Sequence, residues 1–163
     1  MRAQTEEVRV GELEDLEDAA TRLLELERGS FSEPWSIADF QLLAMDNWGL
    51  NMGLWYGRHL AGYALGRIDD DGLVFHLASL AIDPVYRRRG WGSRLLEQIL
   101  VRAAIGGCVI CRLEVRPSNE AAVALYSTFG FAQTLTKRNF YSSPPEDALI
   151  MERAIESSDE GRR

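Results

Sequence analysis

The segment Arg87-Arg88-Arg89-Gly90-Trp91-Gly92-Ser93 places three cationic side chains and two glycines directly ahead of a helical pattern. The first turn of a helix leaves several N–H groups without internal partners and carries the positive end of the macrodipole, so it receives anions. Gly90 and Gly92 let an anion approach the backbone closely, and arginine forks match phosphate oxygens. Phosphate binding is the chemistry these residues imply. The segment is not a Walker loop, since no G-x-x-x-x-G-K-[ST] is present, and it is not the fingerprint G-x-G-x-x-G. A glycine-permitted turn with solvated arginines is the alternative on these residues alone.

Two further residues have the chemistry of proton carriers. Glu114, in LEVR, shares a strand face with Arg112 and Arg116. Neighbouring cations keep such a carboxylate ionised, so it is either held by those arginines or free to take a proton. Asn119, Ala122 and Tyr126 recur at helical spacing, which puts Asn119 and Tyr126 on one face. Tyr126 taken alone is more often an amphipathic packing residue with its phenol at the surface. His76 lies in an apolar strand pattern, where a structural histidine is the commoner reading and a second base the sharper one. Cys108 and Cys111 form C-x-x-C, but no further ligands accompany them and His59 and His76 make no matching pair, so no metal site is expected. The motif opens a β-branched run rather than a helix, and alternation would send the two thiols to opposite faces, so both are read as structural.

These residues need elements to position them. Leu16, Leu23 and Leu26 among acidic residues predict a helix over Leu13–Leu26, stopped by Gly29. Ser36 and Asp39 form a capping box for a second helix, Ile37–Met45. Gly49–Tyr56 and Leu60–Ile68 read as a hairpin turning at Gly57 and Arg58, with DDDG as the next turn. Leu73–Ile82 is a buried strand, and Trp91–Ile105 is a helix closed by Gly106 and Gly107. A strand over Val109–Val115 precedes a helix capped by Ser118 or Asn119 and ended by Gly130. Strands over Phe131–Asn139 and Ala148–Arg153 complete the pattern. The order predicts an α/β layered fold, a single mixed, mostly antiparallel sheet flanked by helices. One domain is expected over residues 8–153, with 154–163 a polar, disordered tail.

The chain has 163 residues, enough for one globular domain. Its net charge of -7 opposes nucleic-acid binding and suits a cationic partner or simple solubility. No apolar stretch approaches membrane-spanning length, and MRAQTEEVRV lacks the features of a signal peptide. A cytoplasmic protein without membrane or nucleic-acid contacts is expected.

The pattern R-x-x-G-x-G, preceded by L-A-I-D-P-x-Y, resembles the coenzyme A pyrophosphate loop of the GCN5-related N-acetyltransferases. FSEPWS at 31–36, LAIDPVYRRRGWG at 80–92, LEVRPSNEAAVALYSTFGF at 113–131, and KRNFY with EDALIM at 137–151 resemble the RimI-like ribosomal-protein N-terminal acetyltransferases. The resemblance implies the acyl-CoA N-acyltransferase fold, acetyl-CoA as donor without metal, a protein N-terminal amine as acceptor, and direct transfer. Trp91 departs from the small aliphatic residue usual there, FSEPWS is longer than the compact F-P-W-S, and HLASL is closer to eukaryotic-type enzymes.

Amide formation from a thioester needs a neutral amine, so an ammonium acceptor must lose a proton. The strand Leu73–Ile82 contains no carboxylate, and the resemblance assigns the proton acceptor to Glu114 and the proton donor for the departing thiolate to Tyr126. Backbone groups of Leu80, Ala81 and Ile82 would hold the amide chain of pantetheine as a sheet edge holds a strand, and one N–H could polarise the thioester. The implied cofactor site adds Arg87, Arg88, Arg89, Gly90, Trp91, Gly92, Ser93 and Asn119. Phe31, Trp35 and Tyr141 are the expected walls of the acceptor groove, Trp35 being also a candidate hydrophobic staple. An acetyltransferase for a small amine or lysine side chain, and a non-catalytic acetyl-CoA sensor, are the competing readings. Retention of both Glu114 and Tyr126 opposes the sensor.

Overall fold

A computed structural model of the chain describes residues 7–156. Strand β1 (Val8–Glu12) leads into helix α1 (Leu16–Ser30) and helix α2 (Ile37–Ala44). Strands β2 (Gly49–Tyr56), β3 (His59–Ile68) and β4 (Val74–Ile82) follow as a meander. A 3-10 turn (Pro84–Tyr86) precedes helix α3 (Trp91–Ile105), strand β5 (Ile110–Val115), helix α4 (Glu120–Thr128), and strands β6 (Ala132–Ser142) and β7 (Pro145–Ala154). Among the described residues the strands form one seven-stranded sheet in the order β1-β2-β3-β4-β5-β7-β6, in which only β4 and β5 pair in parallel. This is the mixed, mostly antiparallel α/β sheet that the element order predicts.

Local sequence explains most boundaries, and a few differ from expectation. Helix α1 begins at Leu16 because Asp15 caps it, its carboxylate accepting from Asp18 N–H at 2.9 Å. Gly29 does not stop it; the helix closes at Phe31, whose N–H bonds Glu27 O at 2.8 Å. The Ser36 and Asp39 capping box opens α2, as the spacing implies. Strands β6 and β7 run further toward each other than their apolar residues suggest, because pairing resumes at Tyr141↔Glu146 and Ser142↔Pro145 after an irregularity. At that irregularity Asn139 takes a left-handed φ of 52° and its N–H bonds Asp147 Oδ1. Ala154 ends β7, and Ile155 still packs on the core and bonds Val109 O. The rest of the expected tail, beyond residue 156, lies outside the described residues.

Two cores sandwich the sheet. Leu95, Leu96, Ile99, Leu100 and Ala103 of α3 and Tyr126 of α4 pack with Leu54, Phe75, Leu77, Leu113 and Met151 on one face. Leu16, Leu23 and Leu26 of α1 and Phe40 and Leu43 of α2 pack with Leu60, Tyr63, Leu65 and Ala81 on the other. Cys108 and Cys111 are free and buried in the first core. They do not occupy opposite faces, because β5 begins at Ile110 and Cys108 belongs to the preceding turn, where alternation has no force.

Two irregularities of β4 prepare a site. Leu65 pairs with Ser79 and Gly66 with Leu77, so Ala78 is an extra residue, a β-bulge. Phe75 and Leu77 therefore face the α3 core, whereas Ser79 and Ala81, beyond the bulge, face α1. The second irregularity is a parting of strands. The β4–β5 ladder runs only from Val74↔Ile110 to His76↔Arg112, after which the two strands diverge.

Candidate active site

Two cavities meet in the parting between β4 and β5. The larger, about 410 Å³, is lined by Ser30, Phe31, Leu80, Ala81, Ile82, Tyr86, Arg87, Arg88, Gly90, Trp91, Gly92, Asn119, Ala121, Ala122, Leu125 and Tyr126. The smaller, about 160 Å³, includes Glu27, Phe31, Glu33, Trp35, Ser79, Glu114, Arg116, Asn119 and Tyr141 in its wall. Phe31, Leu80, Asn119, Ala122 and Tyr126 border both. The chain thus builds one channel with two chambers.

The larger chamber is floored by the start of α3. Gly90 occupies the N-cap with φ 76°, a left-handed conformation that glycine adopts without steric cost, and no side chain caps the exposed N–H groups. A Cβ at Gly92 would meet Leu125 at 3.6 Å and Ile82 at 3.9 Å, both of which line the chamber. The three arginines diverge in role. Arg88 lines the chamber with φ 64°. Arg87 also lines it, but its guanidinium turns inward, donating to Ile82 O and Ser30 Oγ at 3.0 Å each. Arg89 is not part of the wall and lies over the rings of Tyr86 and Trp91, 5.4 Å from each centroid. Ser93 is likewise outside the wall, in the first turn of α3. Trp91 stacks on Tyr86 at 5.3 Å and packs against Tyr56, so the aromatic residue is accommodated by a ring cluster beside the loop.

Glu114 stands in the wall of the smaller chamber. Its partners are not those that strand alternation suggests. Arg112 pairs with Glu152 at 3.0 Å, and Arg116 with Glu146 at 3.2 Å and Glu33 at 3.4 Å. Glu114 Oε2 instead lies 2.5 Å from His76 Nε2, and Oε1 lies 3.6 Å from Lys137 Nζ. The difference arises because β5 is flanked by β7, whose carboxylates take the arginines first. Burial raises the Glu114 pKa, but the hydrogen bond shared with His76 and the charges of His76 and Lys137 together outweigh it, leaving the group below the ordinary glutamate value. Tyr126 sits where the chambers join, 8% exposed, its ring 5.6 Å from Phe131. Burial holds its phenol well above the ordinary tyrosine value, so it keeps its proton at neutral pH.

The expected acceptor walls converge. Phe31, Trp35 and Tyr141 all line the smaller chamber. Trp35 also staples α2, its ring 5.4 Å from Phe40, so the residue packs on the helix while lining the chamber. Tyr141 lies under the Arg116 guanidinium at 4.0 Å, and burial pushes its phenol up to about 12.

Sequence reasoning missed several residues of this chamber. Glu27 is 1% exposed and accepts from Tyr63 Oη, from Ser79 Oγ at 2.5 Å and from Trp35 N–H at 3.0 Å. The available signal was a carboxylate on the buried stripe Leu16, Ala20, Leu23, Glu27 of α1. Glu33, inside the lengthened FSEPWS, accepts from the N–H groups of Ser142, at 2.6 Å, and Ser143. It ties the α1–α2 loop to the β6–β7 turn, a contact across 109 residues that no local pattern announces.

Comparison with known proteins agrees with this architecture. Residues 20–131 match the family described as "Acetyltransferase (GNAT) family". The chain is 36% identical over 159 residues to the N-alpha-acetyltransferase RimI of Mycobacterium tuberculosis, covering 94% of this chain and 96% of that protein. It is 35% identical over 133 residues to the [Ribosomal protein bS18]-alanine N-acetyltransferase of Salmonella typhimurium, covering 78% and 85%. The crystal structure of the ribosomal-protein-S18-alanine N-acetyltransferase from Escherichia coli superposes with a TM-score of 0.82 at 31% identity, covering 96% of this chain and 99% of that one. The mixed sheet, the paired chambers and these matches lead to one assignment: the chain belongs to the GNAT family, as an acyltransferase that uses acetyl-CoA.

Proposed function

We propose that the protein transfers the acetyl group of acetyl-CoA to the N-terminal α-amine of a protein of the ribosomal-protein type, with Glu114 as base and Tyr126 as acid. The observation that carries this reading is the position of Tyr126 where the chambers join, with Glu114 on the acceptor side alone. Names of relatives that act on the alanine of ribosomal protein bS18 support a protein N-terminus over a small amine.

The larger chamber fits the donor. Uncapped N–H groups at the start of α3, with Arg88 and Gly90 beside them, suit a pyrophosphate. The β4 edge at Leu80, Ala81 and Ile82, freed from β5, offers amides to an amide chain, and Asn119 adds a polar side chain. Acetyl-CoA supplies the electrophilic carbonyl and the thiol leaving group. Glu114, ionised at neutral pH, accepts a proton from the arriving ammonium, directly or through water. Tyr126, protonated at the junction, donates to the departing sulfur. Phe31, Trp35 and Tyr141 wall the acceptor side, and Glu33 with Arg116 ties the two loops that carry them.

A peptide panel tests the assignment, with released thiol as readout. A basic peptide with a free N-terminus should be acetylated at its α-amine. Transfer to a lysine in the N-terminally blocked peptide, or to free amines at equal efficiency, would overturn it.

A further inference from the structure

Transfer to an ammonium acceptor forms one C–N bond and breaks one C–S bond. The nitrogen gives up two protons, the sulfur takes one, and one must reach solvent in every turnover. Glu114 faces the chamber, and the acceptor and donor would cover it there. The structure offers another way out. His76 Nε2 lies 2.5 Å from Glu114 Oε2, behind the chamber wall and outside its lining residues. The His76 side chain is 37% exposed against 16% for Glu114. His76 also sits at the last rung of the β4–β5 ladder, at the apex of the parting.

We propose that His76 is the exit relay for this net proton: in the tautomer protonated at Nδ1 it takes the proton from Glu114 Oε2 at Nε2, releases the Nδ1 proton to water, and regains that tautomer by exchange with water before the next turnover. The inference rests on Glu114 being the base. An imidazole can receive a proton on one nitrogen and release one from the other, which a fixed hydrogen-bond partner cannot do. The charged groups around the pair leave this route open. Arg67, opposite His76 on β3, is held by Asp46 at 2.7 Å and Asp70 at 3.2 Å. Arg112, opposite it on β5, is held by Glu152 of β7. Lys137 of β6 leans on the other Glu114 oxygen, and Glu27 of α1 is engaged by Tyr63, Ser79 and Trp35. His76 therefore has Glu114 as its carboxylate partner.

The test compares the intact enzyme with His76→Gln, His76→Asn and Glu114→Gln, using acetyl-CoA and a free N-terminal peptide. Gln at 76 retains an N–H donor for Glu114 but cannot carry a proton. Turnover of both His76 variants should fall by about 10²-fold with KM for both substrates unchanged. Added imidazole or concentrated small buffers should restore it. The loss should shrink with an acceptor amine of low pKa, which arrives neutral and releases no net proton. Near-normal turnover of His76→Gln, or a loss that neither imidazole nor the low-pKa acceptor relieves, overturns the relay. Normal turnover of Glu114→Gln overturns the base assignment and the relay with it, whereas a slow Glu114→Gln beside a normal His76→Gln overturns the relay alone. Melting temperatures of the variants separate either result from misfolding.

Discussion

Ser79 Oγ donates to Glu27 Oε1 at 2.5 Å although the residues stand 52 apart in the chain. The contact joins α1 to β4 just beyond the bulge. Tyr63 Oη and Trp35 N–H reach the same carboxylate, so one buried group connects helix, sheet and the α1–α2 loop. Glu27→Ala should take the shared acceptor from three donors, of which Tyr63 Oη and Ser79 Oγ, 3.3 Å apart, can satisfy only one another in part, each unmet donor costing about 1–3 kcal/mol. Urea unfolding should show a loss of about 3 kcal/mol or more, and a change below about 1 kcal/mol would contradict the network.

Tyr126→Phe keeps the ring against Phe131 and removes the phenol. A donor role predicts a fall in turnover of about 10²- to 10⁴-fold with the melting temperature held. Packing alone predicts nearly normal turnover. Rate and thermal unfolding measured on one preparation decide between them.

Gly92→Leu should fill the space between Ile82 and Leu125 at the floor of the larger chamber. Acetyl-CoA at 100 times its Kd should stabilise the unmodified protein by about 2.7 kcal/mol. In the variant the shift should vanish. A preserved shift would remove this loop from the donor site.

Glu33→Ala should release the amides of Ser142 and Ser143 from the α1–α2 loop. Their hydrogen exchange should quicken, and KM for the peptide should rise more than kcat falls, because the walls it joins serve positioning. Unchanged exchange at both amides would show that the tie does not hold in solution.

Asp83 supplies a pH prediction. Burial raises its pKa, but bonds from Val85 N–H and Arg22, with the Arg22 charge, lower it further, so the folded value is depressed. A depressed carboxylate contributes stability above its unfolded pKa, about 3.9, and loses it as pH falls through the folded value. Asp83→Asn should therefore cost about 1–3 kcal/mol at pH 7 and progressively less as pH falls below about 4. An equal cost at pH 7 and in strong acid would sink the assignment.

Periodicity made the element order legible, because helices and strands that bury one face record that face in sequence. The α3 boundaries and the α2 capping box follow from local residues alone. The convergence of Phe31, Trp35 and Tyr141 on one chamber was legible through the family motifs they belong to. Partner choice was not. Glu114 sits between arginines in sequence, yet β7 and β6 supply the carboxylates and the lysine that redistribute those pairings. Strand alternation fixes which way a side chain points, but tertiary pairing fixes what it meets. Glu27 and Glu33 were hidden for the same reason, since each acts on segments far away in the chain.

Ala78 gives β4 odd parity. A strand repeats every two residues, so one supernumerary residue exchanges inside for outside in everything downstream. Upstream of it β4 feeds the α3 layer through Phe75 and Leu77; downstream it feeds the α1 layer through Ser79 and Ala81. Small polar replacements at 78 should consequently spare the fold, since the position is exposed, whereas bulky ones would enter the smaller chamber that Ala78 also lines. Deleting it is a different kind of lesion. A single-residue deletion would act as a structural frameshift, presenting Ser79 and Ala81 to the wrong layer and uncoupling Glu27 from the sheet, although every remaining residue stays the same.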